Sequence, residues 1–365
     1  DYLVSSDGLE ILAVEYTDGT PEYQFINKEH PESKLYAGLM NAFPDHMVSF
    51  YGISRDGRFV LFRTYSDVDP GSYYLFDRDQ GKAKFLLAAM DWIKPEQMSP
   101  MRPISLKARD GTELQGYLTV PAGSSGKNLP MILHPHGGPF GIRDSWGFDP
   151  TVQFLASRGY AVLQLNFRGS GGYGSAFIEK GYKKWGTELI DDMTDAVNWV
   201  VAQGIADKNR LCTFGASYGG YAALQAVVRE QGKYRCAIGY IGVYDIPMLF
   251  KDGDTQEATM GRNTLNLFFP ADVAEQQAQS PAFNAQRLNV PMMIAHGGKD
   301  MRAPMSQYES LIKRLKDVGK APEVSIVEEK EGHGYADITN QVELYTAVEA
   351  FLDKYIGAGK ASAAP

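Results

Sequence analysis

Apolar and polar residues alternate with the period of β-strands over the first 97 residues, in two copies of one pattern. "SSDGLEILAVEYTDG" (5–19) aligns with "SRDGRFVLFRTYSD" (54–67), and a second strand-like run follows each copy. Asp7 and Asp56 are equivalent positions, 49 residues apart. A period near 50 residues is typical of β-propeller blades, so we predict a partial β-propeller of about two blades over 1–97. A small independent sheet is the alternative, because a propeller ring needs about four to eight blades.

From residue 98 the pattern changes to strand-sized apolar runs that alternate with amphipathic stretches. A β-hairpin with Asp110-Gly111 at its turn comes first. Six strand-like runs follow: "PMILHPHGG", "YAVLQLNFRG", "RLCTFGAS", "CAIGYIGVYD", "VPMMIAHGGKD" and "EVSIVEEKEG". In the helical stretch 189–201 the apolar residues share one face, and three acidic residues point elsewhere: Asp191, Asp192 and Asp195. The alternation predicts an α/β domain over 98–365, with a mostly parallel eight-stranded sheet covered on both faces.

Composition and charge narrow the class of protein. The 365-residue chain has a net charge of −8, which argues against a nucleic-acid or anionic-membrane surface. No apolar run reaches the roughly 18 residues of a membrane span. Two cysteines, Cys212 and Cys236, leave open either two inert core thiols or a single disulfide. Because the sequence begins at Asp1 without a signal peptide, we expect a processed product or a fragment, and the localisation stays open.

The segment Gly215-Ala216-Ser217-Tyr218-Gly219 fits the pattern G-x-S-x-G, between an apolar strand and an alanine-rich helix. In that context the pattern predicts a strained turn that exposes Ser217 as a nucleophile. Side chains at either glycine would meet neighbouring backbone. The start of the helix offers N–H groups and a partial positive charge to an oxyanion. A plain glycine turn is the alternative, so the decision depends on partners for Ser217.

A serine nucleophile needs a base and an acid that orients the base, and in this fold the acid and then the histidine follow the serine. His333, in "KEGHGY", is the one histidine beyond residue 300. Two acids, Asp245 and Asp300, end predicted strands at the same sheet edge. We prefer Asp300, because the Gly-Gly turn before it allows its side chain to turn back toward His333. The alternative for Asp300 is an N-cap on the following helix.

The loop "HPHGGPF" (134–140) is a candidate for a second oxyanion donor, beside the N–H of Tyr218. His134 and His136 lie two residues apart, but no third ligand follows at a sensible spacing, so we predict no metal site. "RGSGGYG" matches the dinucleotide-binding pattern G-x-G-x-x-G. Its strand is not the first of the unit and no acid ends the next strand, so we predict a turn there and no cofactor.

Five motifs, "HPHGGP", "NFRGSGGYG", "GASYGGYAAL", "HGGKDMRAP" and "EGHGY", resemble the prolyl oligopeptidase family of serine peptidases, in particular its acylaminoacyl-peptidase-like branch. The resemblance spans about 98–356 and implies an α/β-hydrolase fold preceded by a β-propeller. It also implies a catalytic triad and two oxyanion amides: Ser217, Asp300 and His333, with the N–H groups of Tyr218 and Gly138.

The chain departs from the family pattern in two respects. Prolyl oligopeptidases proper use a tyrosine side chain where this sequence has His136, which disfavours strict post-proline specificity. Only about two of the propeller blades are recognisable here, so the remaining propeller segment and a homo-oligomer are both open as partners. By the same resemblance, Arg302 lies near the substrate, with a surface salt bridge as the alternative, and Tyr244 lines the pocket.

Three functions compete for these residues. The first is a serine peptidase that cleaves short peptides through an acyl-enzyme. The second is a carboxylesterase that uses the same residues on esters. The third is a non-catalytic binding protein on a hydrolase scaffold, which we disfavour because such proteins normally lose a triad member. We predict the peptidase, with a peptide as its substrate.

Overall fold

The structure, a computed structural model, describes residues 2–17 and 19–357. Asp1, Asp18 and 358–365, which the predicted domains include, lie outside the described residues. The described chain divides into two compact units. One comprises the residues up to Pro103 together with Ser145–Ser157, and the other comprises Ile104–Asp144 and the residues from Arg158 onward.

The elements of the first 97 residues are β1 (Tyr2–Val4), β2 (Ile11–Tyr16), β3 (Glu22–Phe25), α1 (Pro31–Ala42), β4 (Met47–Ile53), β5 (Phe59–Tyr65), β6 (Ser72–Asp77) and β7 (Lys82–Ala88). The next are β8 (Met101–Lys107), β9 (Glu113–Thr119), β10 (Leu129–Leu133), α2 (Pro150–Ser157), β11 (Ala161–Asn166), α3 (Ser175–Glu179) and α4 (Glu188–Ala202). They are followed by β12 (Ala206–Ala216), α5 (Tyr218–Arg229), β13 (Cys236–Tyr240), α6 (Asp254–Glu257), α7 (Thr259–Phe268), α8 (Val273–Ala278), β14 (Met292–Gly297), α9 (Met305–Asp317), β15 (Val324–Glu328) and α10 (Ile338–Ile356).

The sequence repeat corresponds to two turns of the same structure. Strands β1, β2 and β3 form one antiparallel sheet, and β4 to β7 form a second. In each copy the aspartate, Asp7 or Asp56, accepts hydrogen bonds from the serine hydroxyl two residues earlier and from the N–H two residues later. The glycine that follows has φ of 74° in the first turn and 71° in the second. The repeated turn explains the period, while closure into a propeller stays a prediction.

Helix α1 between the two sheets was not predicted. Its buried residues, Ser33, Tyr36 and Leu39, recur at every third position and lie on one face. Tyr36 and Leu39 pack in a small core with Val60 and Phe62 of strand β5. Pro31 at the first helical position and the His30 side chain, which accepts a hydrogen bond from the N–H of Glu32, begin the helix. This short amphipathic pattern lies between two copies of a strand-like repeat, and only the strand period was used to predict the structure of this region.

The predicted α/β sheet is confirmed. Eight strands lie in the order β15-β14-β13-β12-β10-β11-β9-β8. Strands β10 to β15 pair in parallel, and β9 pairs antiparallel with β11. Every residue of β11 and β14 is buried, as expected of strands covered on both faces. Parallel pairing brings the carboxyl ends of β10, β12, β13, β14 and β15 to one edge of the sheet, and all the candidate site residues follow these ends.

Helix α4 corrects one detail of the sequence prediction. Asp192 was expected to point away from the apolar face, but its side chain is fully buried. The guanidinium of Arg168 donates to both carboxylate oxygens, with Nη2–Oδ1 of 2.6 Å and Nε–Oδ2 of 2.8 Å. A buried charge is tolerated when it is paired and hydrogen-bonded in this way. The ion pair anchors α4 against the loop after β11.

The two cysteines form a disulfide, which settles the alternatives left open by the sequence. Cys212 and Cys236 are directly opposed in the register of β12 and β13, and both are fully buried. Their Cα atoms lie 4.9 Å apart, within the usual range for a disulfide. The bond therefore joins the strand that precedes Ser217 to its parallel neighbour.

Among the described helices, none combines the length and the apolar character that a membrane crossing requires.

Candidate active site

Ser217 lies at the sharp turn between β12 and α5. Its backbone has φ 58° and ψ −123°, a conformation that is rare for a residue with a side chain and typical of a strained functional turn. The Ser217 N–H donates to the carbonyl of Tyr240 at 3.0 Å, which ties the turn to the end of β13. A Cβ at Gly219 would overlap the carbonyl oxygen of Pro135, so glycine is required where the loop after β10 passes the turn.

A chain of hydrogen bonds joins Ser217, His333 and Asp300. His333 Nε2 lies 2.9 Å from Ser217 Oγ, and His333 Nδ1 lies 2.7 Å from Asp300 Oδ2. A carboxylate can only accept, so Nδ1 carries the proton and Nε2 offers its lone pair to the serine hydroxyl. The side chain of Asp300 is fully buried, whereas that of His333 is 30% exposed. In this arrangement the imidazole can accept the proton of the serine hydroxyl, while the buried carboxylate binds its other nitrogen.

The second oxygen of Asp300 is also occupied. Asp300 Oδ1 accepts from the N–H groups of Arg302 at 2.9 Å and Ala303 at 2.8 Å. These bonds close the turn after β14 and leave Oδ2 for His333. Helix α9 begins later, at Met305 with Pro304 before it, so Asp300 does not cap that helix.

Asp245, the alternative acid, serves another purpose in the structure. Its Oδ1 accepts from the N–H of Met248 at 3.1 Å, and its Oδ2 accepts from the hydroxyl of Ser310 at 2.6 Å. It thus caps the short 3-10 helix Ile246–Phe250. The acid that the fold brings to His333 is Asp300.

Glu331, which the sequence analysis missed, braces the loop that carries His333. Its carboxylate accepts from the N–H groups of Ala336 at 2.7 Å and Asp337 at 3.0 Å, and from the side-chain amide of Asn340 at 2.6 Å. The Ala336 N–H is the main reason that the pKa of Glu331 lies below its usual range. Asn340 belongs to the first turn of α10, so Glu331 ties the loop of His333 to that helix, a contact that local sequence spacing does not reveal.

Two tyrosines hold the other side of the same loop. The hydroxyl of Tyr240 accepts from the N–H of Tyr335 at 2.5 Å, and the hydroxyl of Tyr335 donates to the carbonyl of His296 at 3.0 Å. Their rings meet edge to face with centroids 5.1 Å apart. A Cβ at Gly297 would overlap the carbonyl oxygen of Gly332, so the Gly-Gly sequence before Asp300 allows this loop to approach β14 closely.

His136 belongs to the loop 134–140, and both of its ring nitrogens are engaged in hydrogen bonds. Nδ1 is 2.7 Å from the carbonyl of Gly137, and Nε2 is 2.9 Å from the hydroxyl of Ser170. The carbonyl must accept, so Nδ1–H donates to it and Nε2 accepts from Ser170. The ring stacks on Phe167 at 4.3 Å, and burial lowers the pKa of His136 to about 4. The side chain has no donor left for an oxyanion and instead orients the loop backbone.

The predicted oxyanion amides, Tyr218 and Gly138, both belong to backbone near Ser217. The Tyr218 N–H is the first of α5 and has no acceptor within the helix. The carbonyl of Gly137 points to His136, and in a trans peptide the next N–H points the opposite way, so the Gly138 N–H is directed away from that ring. Gly138 and Ser217 line the same groove. His134 is held separately, with Nδ1 2.6 Å from the carbonyl of Phe214.

The groove beside Ser217 has a volume of about 580 Å³. It is lined by apolar and charged side chains together with backbone: Gly138, Ile142, Ser217, Asp254, Lys299, Met301, Arg302 and His333. Arg302 lines the groove and also pairs with Asp254, whose Oδ2 accepts from Nε at 3.0 Å and Nη2 at 2.9 Å. Tyr244 is fully buried in the core and contributes no surface to the groove, so the pocket-lining position expected for it has no support.

Metal ligands are sparse in the part of the chain that the structure describes. No group of three or more His, Cys, Asp or Glu side chains there is close enough to hold a metal ion. The segment 168–174, which matches the dinucleotide pattern, forms turns.

Comparison with known proteins identifies the family. The sequence model of the prolyl oligopeptidase family matches residues 146–359, more than half of the chain. The chain belongs to this family. It is 30% identical over 299 residues to dipeptidyl aminopeptidase BIII of Pseudoxanthomonas mexicana, an alignment that covers 79% of this chain and 43% of that relative.

Two solved structures share the fold. A puromycin-hydrolyzing peptidase of Mycobacterium tuberculosis superposes with a TM-score of 0.78 at 24% identity, covering 98% of this chain and 53% of that one. An acylaminoacyl peptidase of Pyrococcus horikoshii superposes with a TM-score of 0.72 at 23% identity, covering 85% of this chain and 50% of that one. The family member described here thus spans about half the length of these relatives.

Proposed function

We propose that this chain is the catalytic part of a serine peptidase of the acylaminoacyl- or dipeptidyl-peptidase type, which cleaves short peptides through an acyl-enzyme. The observation that carries the proposal is the Ser217–His333–Asp300 hydrogen-bond chain at a strained turn. Membership of a peptidase family supports it, as do relatives named as dipeptidyl and acylamino-acid-releasing enzymes.

The hydrogen-bond chain supports the following reaction. His333 Nε2 takes the proton of Ser217 as Oγ attacks the peptide carbonyl, and then gives it to the leaving amine. Asp300 keeps the proton on Nδ1 and stabilises the imidazolium. The N–H groups of Tyr218 and Gly138 donate to the oxyanion of the tetrahedral intermediate. Water then attacks the acyl-enzyme with His333 again as the base, and Ser217 is released.

Two further expectations belong to the proposal. The two N-terminal sheets are part of a β-propeller, supported by their equivalent turns and by the up-and-down order of β4 to β7. The partners that remain open are the rest of that propeller and a second copy of the chain. A carboxylesterase is not favoured, because the relatives quoted above are named as peptidases.

A fluorophosphonate probe tests the nucleophile. We expect peptide mapping to find the label on Ser217 of the folded chain, and we expect neither the Ser217→Ala variant nor heat-denatured wild type to be labelled. Labelling at another residue would refute the assignment. A matched amide and ester of one short peptide then tests the reaction class, because ester cleavage without amide cleavage would contradict a peptidase.

A further inference from the structure

The groove combines apolar walls with an excess of positively charged side chains. Ile142 and Met301 line it and are 52% and 64% exposed. The charged side chains that line it are Asp254, Lys299 and Arg302, two cations and one anion. The whole chain carries a net charge of −8, so this groove is locally cationic on an acidic protein.

The two cations are not equivalent. Arg302 directs both Nε and Nη2 at Asp254, so its charge is compensated by a neighbour. Asp254 is itself held in place, since its N–H donates to the carbonyl of Met301 at 2.8 Å. Of the charged side chains lining the groove in the described chain, Lys299 is the one without an ion pair.

The backbone of Lys299 is fixed close to the reacting groups. Lys299 directly precedes Asp300, and its N–H donates to the carbonyl of Glu331 at 2.7 Å, in the loop that carries His333. Its side chain is exposed and lines the same groove as Ser217. An uncompensated ammonium on a flexible stem, beside the point of cleavage, can meet a carboxylate of the substrate.

We propose that Lys299 is a specificity-determining residue that selects peptides with a carboxylate near the cleaved bond. The carboxylate is either an acidic side chain or the free C-terminus of a short leaving fragment, since both present the same chemistry to the ammonium. This inference rests on the proposed peptidase function. It adds to that function a preference for anionic peptides, which the net charge of the chain alone would oppose.

The test uses three otherwise identical peptides. One has Glu after the cleaved bond and an amidated C-terminus, the second has Gln and an amidated C-terminus, and the third has Gln and a free C-terminus. In wild type at low salt we expect kcat/KM to be about fivefold higher for at least one carboxylate peptide than for the neutral one, as an exposed ion pair provides. The responding peptide identifies the source of the carboxylate.

Three variants locate the effect. Lys299→Gln is expected to abolish the preference, and Asp254→Asn to increase it because Arg302 then becomes a second uncompensated cation. Lys208→Gln, an exposed lysine at the opposite end of β12, is the matched control and keeps the wild-type ratio. In about 1 M NaCl, where the Debye length is about 3 Å, the wild-type preference should disappear. A preference that survives Lys299→Gln, or that wild type lacks, would overturn the proposal.

A second measurement separates this proposal from the proposed function. The same peptides compete against hydrolysis of a neutral chromogenic ester, so that binding is measured whether or not the amide bond is cut. If none of the peptides is cleaved while the carboxylate peptides still inhibit better, the peptidase assignment fails and carboxylate recognition stands. If all three peptides are cleaved and inhibit equally, carboxylate recognition fails and the peptidase assignment stands.

Discussion

Two substitutions of His136 test what orients the backbone of the loop 134–140. Nδ1–H of His136 donates to the carbonyl of Gly137 at 2.7 Å, while Nε2 accepts from Ser170 at 2.9 Å. The amide of asparagine can occupy the Nδ1 position and keep the bond to Gly137. The longer glutamine can occupy the Nε2 position and keep the bond to Ser170. Both variants lose the stacking on Phe167, so they form a matched pair.

The expected effects follow from the peptide between Gly137 and Gly138. If the Gly137 carbonyl loses its donor, the peptide can rotate, and the Gly138 N–H, which we propose as an oxyanion donor, is no longer held in its direction. Loss of one oxyanion donor costs about 100- to 1,000-fold in kcat. We therefore expect His136→Gln to lower kcat by about 100-fold. His136→Asn should retain kcat within about tenfold of wild type, because the donor to Gly137 is kept.

The assay compares kcat and KM for one short peptide substrate, alongside the free energy of unfolding from denaturant titration. Both variants should unfold more easily by about 1–3 kcal/mol, since each loses a buried ring and one hydrogen bond. The effect of glutamine should fall on kcat and leave KM nearly unchanged, because the lost interaction forms only in the transition state. A lower kcat in His136→Asn than in His136→Gln would refute this account of the loop.

Three further predictions address the acid, the buried imidazole and the disulfide. Asp300→Asn should lower kcat by about 10⁴-fold. Asp245→Asn should leave kcat unchanged and lower the free energy of unfolding by about 1 kcal/mol. Equal losses of kcat in the two variants would contradict the geometry. Burial lowers the pKa of His136 from 6.5 to about 4, so its contribution to stability is full above pH 6.5 and is lost as the pH falls toward 4. Denaturant titrations at each pH should therefore show that, over this range, the free energy of unfolding of wild type falls by about 3 kcal/mol more than that of His136→Gln. Reductant should lower the free energy of unfolding of wild type by about 3 kcal/mol and leave the Cys212→Ala/Cys236→Ala double variant unchanged; an equal response of both would exclude the disulfide.

The parts of the fold that were predictable are those with a strong local signal. Continuous apolar runs with intervening amphipathic stretches were enough to predict the eight-stranded sheet, because a strand buried on both faces is mostly apolar and does not alternate with polar residues. The repeat near Asp7 and Asp56 was recognised for the same reason, since one turn with the same side-chain hydrogen bonds requires the same residues twice.

The parts that were missed depend on contacts between distant segments. Asp192 was expected to be exposed because helical periodicity assigns acids to the outer face, but Arg168, 24 residues earlier, neutralises it inside the protein. The disulfide could not be chosen over free thiols, because that choice depends on the register of β12 and β13. The role of His136 depended on Phe167 and Ser170, which follow it by 31 and 34 residues and which local spacing does not reveal.

The choice between Asp245 and Asp300 shows what decides a site when two candidates share one sheet edge. Both acids follow buried strands, so their positions along the chain are equivalent. The difference lies in the backbone around them: Gly297 has no side chain, and the carbonyl of Gly332 fills the space where a Cβ would lie. This close approach brings the loop of His333 against the end of β14, while the corresponding space after β13 is occupied by Ser310 and Gln307, which bind Asp245 and its neighbours. Gly242 also lies three residues before Asp245, so a glycine at that spacing does not by itself choose the acid; the loop that Gly297 admits does.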